Sequence, residues 1–496
     1  MSAAANDAAT PAARAAAGNA SLLRRYFVLL YCALCVLMSF FWPHVAIAGR
    51  LAWIYVVLST LAYAGAYLLL AVLPVGLLSL LPRRLPGRGG WLAGAAALGG
   101  SLALLAVYAD YRLFSLYQYH FNGFVWNLLT TPGGIAALGA TASTQRTVAA
   151  QVVGIVLANL AVLWLLHRYR ARGWQFSGRS LRVAAVSLFC LLAGVEMGFA
   201  YSVHTGRENI LAAADAIPFQ FKSGASKLFK YLGVEPRGKE NLRLAGGEVV
   251  YPARPVDSSG LRPENVIVLV AESFRWDLLN AQITPNLWRL AQRSTRYERH
   301  YSGGNRTRMG LFSLFYGIYA PYWYSFEKQR VEPVLMKILR EHDYQIAAHT
   351  SQSFTYPELH HTVFAKLAPE NMHAIEDGDP WRRDIRNIDD LERHIDQRDP
   401  KRPFFGFMFF ESTHAPYSFP EESALRPDYL RDMNYIDLDL KNNIEAIHAR
   451  YINAAHHIDA QVGRLIEHLE RTGMLDKTVL LFTGDHGEEF MEKGRW

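Results

Sequence analysis

Cysteine is nearly missing from this 496-residue chain: Cys32, Cys35 and Cys190 are the only three, and all lie in apolar runs before residue 203. The remainder has none, so no disulfide framework can hold it and it must be stabilised by burial of a core. Cys32 and Cys35 are spaced as C-x-x-C, but within a lipid-facing apolar helix they read as small packing residues rather than a redox pair. Acids are as scarce at that end. Up to residue 203 only Asp7, Asp110 and Glu196 occur, lysine is absent, and fourteen arginines bring the charge to +11. The rest carries 37 basic and 41 acidic side chains, a balance of −4, so the overall +7 arises entirely from the apolar part. Basic residues flanking apolar runs set membrane orientation, so the charge excess is no sign of a nucleic-acid partner and none is expected.

What fills the first part is hydrophobic sequence. Runs near 26–48, 52–81, 91–109, 147–166 and 182–203 are each long enough to cross a membrane, since a hydrocarbon core of about 30 Å needs roughly 20 helical residues. The third runs on into "YRLFSLYQYHF", an aromatic cluster suited to the bilayer interface. No A-x-A-like site followed by a soluble domain marks the first run as a cleavable signal. Eleven arginines fall in segments that would share one side of the membrane with the N-terminus, against Arg50, Arg112 and Arg146 on the other. The positive-inside rule therefore predicts a cytoplasmic N-terminus, and five spans then put everything beyond residue 203 on the far side. Glu196 lies inside a span, where an acid needs a partner or a role, and the sequence does not identify that partner. The Ala-rich stretch within residues 1–25 is expected to be disordered.

Residues 204–263 join the two parts. "ILAAADAIPFQFKSGASKLFKYLGV" has helical apolar spacing with Lys222, Lys227 and Lys230, which fits a helix on an anionic membrane surface and equally one packed on a soluble domain. "GGEVVYPARPVDSSGLRPE" reads as a linker. From residue 264 the pattern changes. "NVIVLVAES", "YQIAAHTS", "PFFGFMFFEST" and "TVLLFTGD" are nearly continuous apolar runs, as in parallel strands buried on both faces. Helical patterns lie between them: "TPNLWRLAQRS", with Thr284 as N-cap and Pro285 at N1, then "VEPVLMKILREH", then a long helix over 444–473. Alternating β and α elements predict a doubly wound α/β domain over 264–496, with functional groups at the carboxyl ends of its strands.

Three of those runs deliver suitable groups. Glu272 ends the first, His414 follows the third, and Asp485-His486 ends the last. Two carboxylates and an imidazole around an open position suit one divalent ion, Zn²⁺, Mn²⁺ or Mg²⁺, acting on an oxyanion ester. The loop "HYSGGNRTRMGLFSLFYG" adds Asn305, Arg306 and Thr307 ahead of a helix beginning near Met309. At a helix N-terminus Thr307 could serve as a nucleophile facing an anion, or simply as a cap. His456 and His457 sit on the long helix with Asp459 nearby, and read as surface histidines rather than ligands. His360-His361, on a polar loop, reads the same way.

"VIVLVAESFRWD", the Thr307 loop, "FFESTHAPYSFP" and the long helix running into "TVLLFTGDHGEEF" together resemble the alkaline phosphatase/sulfatase superfamily. With five preceding spans, the chain resembles the YejM/PbgA-type inner-membrane proteins of Gram-negative bacteria, and more distantly lipoteichoic acid synthase and the phosphoethanolamine transferases. The resemblance implies a metal held by Glu272, Thr307, Asp485 and His486, with Thr307 as nucleophile and His414, Asn305 and Arg306 on the substrate side. It departs from formylglycine sulfatases, because no C/S-x-P-x-R motif occurs after residue 203. Relatives continue past the Asp-His-Gly turn, so the resemblance also implies a copy truncated at its C-terminal end. Two functions remain open. One is a metal-dependent phosphoester hydrolase or phosphotransferase acting on lipid head groups at the periplasmic face. The other is a sensor of cardiolipin or lipopolysaccharide that regulates envelope assembly with little chemistry. Membrane lipids, anionic phospholipid or lipopolysaccharide, are the expected partners in both, with other inner-membrane proteins as further candidates.

Overall fold

The computed structural model describes residues 11–82, 85, 87–130, 141–169, 177–234, 248–435 and 438–494. Its chain divides into two units, residues 1–122 with 146–241, and residues 123–145 with 242–496.

In the first unit, Pro11–Ser39 (α1), Arg50–Ser79 (α2), Arg88–Tyr117 (α3), Ala142–Arg168 and Gly178–Thr205 supply five helices long and apolar enough to cross a membrane. With the short helix Gly123–Thr130 of the second unit as α4, the last two are α5, whose first four residues also count with the second unit, and α6. Helix α1 begins inside the Ala-rich stretch expected to be disordered, since Ala is the best helix former. Small residues let these helices approach closely: a Cβ on Gly99 would run into the Leu70 carbonyl of α2. Glu196 finds its partners here, accepting hydrogen bonds from Tyr63 Oη at 2.6 Å and from Ser223 Oγ at 2.6 Å. Ser223 belongs to the segment expected to form one helix. That segment is instead Glu208–Ala214 (α7) and Ser226–Tyr231 (α8), joined by turns and irregular chain, and Ala213, Ala214, Ala216 and Ile217 are buried in the core of the helical unit. Lys222 pairs with Asp215 at 3.6 Å, Lys227 is exposed, and the Lys230 side chain lies outside the described residues.

The second unit is an α/β fold with a five-stranded sheet. Its strands are Asn265–Ala271 (β1), Gln345–Thr350 (β2), Met372–Ala374 (β3), Phe404–Phe410 (β4) and Thr478–Gly484 (β5), ordered β3-β2-β4-β1-β5 and all parallel. Four are the apolar runs read in the sequence. Strand β3 is too short to leave a pattern. β5 departs from burial on both faces, with Val479 and Leu481 exposed. One face packs Val268, Val270, Phe405, Phe407 and Phe409 against Thr307–Tyr316 (α10), Trp323–Gln329 (α11) and Val334–Glu341 (α12). The linker contributes to that face, because the Tyr251 ring packs at a tilt against that of Tyr316 and its hydroxyl donates to the Tyr316 carbonyl at 2.8 Å.

Pro380–Gln397 (α13) packs on β2 and β4 across the other face, and Leu440–Arg471 (α14) packs on α13 and on Pro285–Gln292 (α9). Helix α13 is so rich in charge that its pattern is easily passed over, yet Asp384, Ile388, Leu391 and Ile395 recur on one buried stripe. Thr284 stands at the N-cap of α9 but does not cap it. Its hydroxyl donates to Leu278 O at 2.7 Å, while Asp459 of α14 accepts from Asn286 N at 3.0 Å and Leu287 N at 2.7 Å. His457, expected at the surface, is 3% exposed and hydrogen-bonded to Trp381 O at 3.1 Å.

Candidate metal centre

Register alone puts an acid row at one edge of this sheet. Ala271, the last residue of β1, is paired with Phe410 of β4 on one side and Gly484 of β5 on the other. The next residue of each strand is an acid: Glu272, Glu411 and Asp485. All three are buried. Parallel strands with matched ends thus deliver three carboxyl groups side by side, at the place where α/β sheets bind their ligands.

The acids cannot all be charged so close together. Burial, and after it the charge of Glu272, pushes the Glu411 carboxyl well above its usual range. Burial is the largest single influence on Glu272 and disfavours its charge, but the hydrogen bond from His486, the charges of His414 and His486 and the Thr307 hydroxyl together outweigh it and hold that carboxyl below the usual range. Asp485 is pushed up to about 7 by burial and by Glu272. His486 lies the other way: burial would lower its imidazole, and Asp485 with Glu272 raises it to about 10.

Contacts tie these groups to the helix that follows the glycine loop. Thr307 is the first residue of α10 and donates from Oγ1 to Glu272 Oε1 at 2.7 Å. His486 Nε2 lies 3.2 Å from the same oxygen and 3.5 Å from Asp485 Oδ2. Its Nδ1–H donates to Gly487 O at 2.7 Å, so Nε2 is the nitrogen that would ligate an ion, once the proton it holds between the two carboxylates is displaced. Asp485 Oδ1 accepts from Ser273 N at 2.9 Å and His486 N at 2.8 Å, whereas its buried Oδ2 accepts no hydrogen bond. Glycine permits the approach. A Cβ on Gly310 would run into the Asp485 carbonyl, and one on Gly484 into the Phe274 carbonyl.

Ligand atoms of Glu272, Asp485 and His486 lie within 4.8 Å of one another. Two carboxylates, one imidazole, an adjacent hydroxyl and an orphaned carboxylate oxygen suit a divalent cation. Of the residues expected on the substrate side, His414 is placed beside Glu411, its Nδ1 3.6 Å from Glu411 Oε1, and burial lowers its pKa. Asn305 is exposed on the loop, and Arg306 is the N-cap residue of α10, its carbonyl accepting from Gly310 N at 2.9 Å.

Several neighbours carry no motif. Gln352, just past β2, donates to Glu272 Oε2 at 3.4 Å; Ser302 Oγ lies 2.6 Å from Asp485 O; and Arg308 forms a buried bidentate pair with Glu358 at 2.7 and 2.6 Å behind Thr307. Asp384 of α13 accepts from Glu411 N at 3.1 Å and Ser412 N at 3.0 Å. Only Glu411 had a signal in the sequence, as an acid directly ending an apolar run.

Comparison with known proteins gives two matches in series. Residues 264–496 match the Sulfatase family, and residues 22–250 match the family described as domain of unknown function DUF3413. The chain is 23% identical over 409 residues to the inner membrane protein YejM of Salmonella typhimurium, across 80% of this chain and 62% of that protein, so it spans about three fifths of its relative's length. It is 30% identical over 123 residues to an arylsulfatase of Clostridium perfringens, 21% of this chain and 25% of that one. Among solved structures it is similar to the lipooligosaccharide phosphoethanolamine transferase A (EptA) of Neisseria meningitidis, at 15% identity and a TM-score of 0.49, over 88% of this chain and 83% of that one. The two serial matches and the YejM likeness support the family resemblance carried by the motifs.

Proposed function

We propose that this is a YejM-type membrane protein whose α/β unit is a metal-dependent phosphoester hydrolase or phosphotransferase, acting on lipid head groups at the periplasmic face with Thr307 as nucleophile. The observation that carries it is the convergence of Thr307 Oγ1 with Glu272, Asp485 and His486, the hydroxyl 2.7 Å from Glu272 Oε1. Glu272, Thr307, Asp485 and His486 would hold the ion, which supplies Lewis-acid stabilisation of the reacting phosphoryl oxygens when bound. Thr307 Oγ1, oriented by its hydrogen bond to Glu272, attacks phosphorus and gives up its proton to solvent, the bond to the outgoing head-group oxygen breaks, and a phosphothreonine forms. Attack by water or a second alcohol then frees Thr307, and the choice between them separates hydrolase from transferase. His414 and the protonated Glu411 are the groups assigned to the outgoing oxygen. Thr307→Ala should lower turnover of a generic phosphate ester by several powers of ten, while Thr307→Ser keeps a part of it. Unchanged turnover in Thr307→Ala would sink the nucleophile.

The sensor reading has one observation in its favour. The helical unit holds a cavity of about 720 Å³ among α1, α3 and α5, lined by Leu30, Val36, Leu104, Ile155 and Val162, of a chemistry that suits an acyl chain. Under that reading Thr307→Ala leaves envelope regulation in cells intact.

A further inference from the structure

A second cluster of ligating side chains lies on the other flank of the sheet. His349 of β2 and His373 of β3 are direct register partners, so their rings stand side by side on one face, 4.8 Å apart at 21°. Helix α13 brings His394 over them, its ring 4.5 Å from that of His373 and 5.0 Å from that of His349. One nitrogen from each of the three lies within 4.8 Å of the others. The sequence could not show this, because the three come from two strands and a helix with no motif spacing.

The bonding around these rings is unusual. His349 is 0% exposed and neither of its ring nitrogens makes a hydrogen bond of ordinary geometry, although the Asn387 side chain is near enough to favour its charged form; His373 Nε2 is also buried without a partner. A polar group buried in this way forgoes water and recovers little of what it loses. His394 Nδ1–H donates to Asp390 O at 2.9 Å, which fixes its tautomer and leaves Nε2 as a lone pair. Burial, followed by the neighbouring imidazoles, lowers the pKa of both His349 and His373, so both rest in the neutral form that binds metals. Methyl-rich side chains would fill a packing role here with no orphaned nitrogen.

We propose that His349, His373 and His394 form an all-imidazole site for a divalent transition cation of the zinc class, with one position open to a small ligand. Nitrogens in a tetrahedral zinc site lie about 3.4 Å apart, from Zn–N bonds of about 2.0–2.1 Å. The rings close the remaining distance by side-chain rotation of the half-buried His373 and His394. Imidazole donors separate this site from the carboxylate-rich one, which also accepts harder ions. The hydrogen bond from His394 to a backbone carbonyl is the outer contact that metal-bound histidines ordinarily make. A cation here would pin β3 and α13 to β2, the strand that leads three residues on from His349 to Gln352 and its contact with Glu272. The site does not depend on the phosphoester reading.

Zinc binding to the chelator-stripped full chain in detergent tests this directly. In a Glu272→Ala/Asp485→Ala background, one equivalent of zinc should still bind at micromolar concentration and raise the melting temperature. Adding His373→Gln and His394→Gln should abolish both effects. No zinc bound in the first protein, or the same equivalent retained in the second, overturns the proposal. Should the double acid variant not fold, the wild-type chain is compared with His373→Gln/His394→Gln. A loss of one equivalent supports the histidine site, whatever the number bound at the acids, and equal stoichiometry overturns it.

Discussion

Asp459 gives both carboxylate oxygens to the first turn of α9, and Thr284, at the position where a cap is expected, turns its hydroxyl elsewhere. A capping oxygen need only arrive at the exposed N–H groups, and a side chain from a neighbouring helix does this as well as a local one. Two residues earlier on α14, His457 shows what burial does to a titratable group. It is neutral, donates to Trp381 O, and burial lowers its pKa to about 4. The unfolded chain protonates this residue below pH 6.5 and the folded one does not, so stability is intact above pH 6.5 and is lost as pH falls from 6.5 towards 4. The full effect is about 3 kcal/mol. We expect His457→Gln to unfold with a shallower dependence on pH between 7.5 and 5 than the wild type, measured by thermal denaturation. Parallel slopes would show that His457 is charged in the folded protein.

Helix α10 is the element on which the candidate centre turns. It begins at Thr307, and its first turn lies against the chain at Asp485 so closely that only glycine fits at position 310. Gly310→Ala should therefore push the helix from the Asp485 strand end, lowering stability by roughly 1–3 kcal/mol and metal occupancy with it. Gly317, at the other end of the helix, has φ of 67° and open space around it. Gly317→Ala should cost about 1 kcal/mol of stability through backbone strain alone and leave metal occupancy unchanged. Melting temperature and metal content measured together distinguish the two variants. Equal occupancy in Gly310→Ala and wild type would show that the contact does not set the site.

At the scale of the whole molecule, five apolar helices precede an α/β unit, and arginine placement gives the orientation we expect. Reporter fusions after residues 88 and 175 should read as cytoplasmic, and fusions after 130 and 240 as periplasmic. A periplasmic signal at 175 would refute this arrangement. The same arrangement would place the Thr307 site on the periplasmic side.

What the sequence determined by itself was whatever depends on near neighbours. Twenty apolar residues specify a span, short apolar runs specify buried strands, and an acid or an Asp-His pair at the end of such a run reaches the sheet edge wherever the strand is placed. Glu272, His414, Asp485 and His486 were legible on those terms, and Thr307 through the helix that follows it. Decisions that needed distant chain were left to tertiary structure: which strands are neighbours, and so that Glu411 joins Glu272 and Asp485; that Tyr63 and Ser223 answer Glu196; that Asp459 caps α9. His349, His373 and His394 are the clearest case, since strand pairing and helix packing alone bring them together. Hydrophobic periodicity is a local property of the chain, while hydrogen bonds and ligand sets form between whatever groups the packed elements happen to oppose, and that opposition is settled only when the core closes.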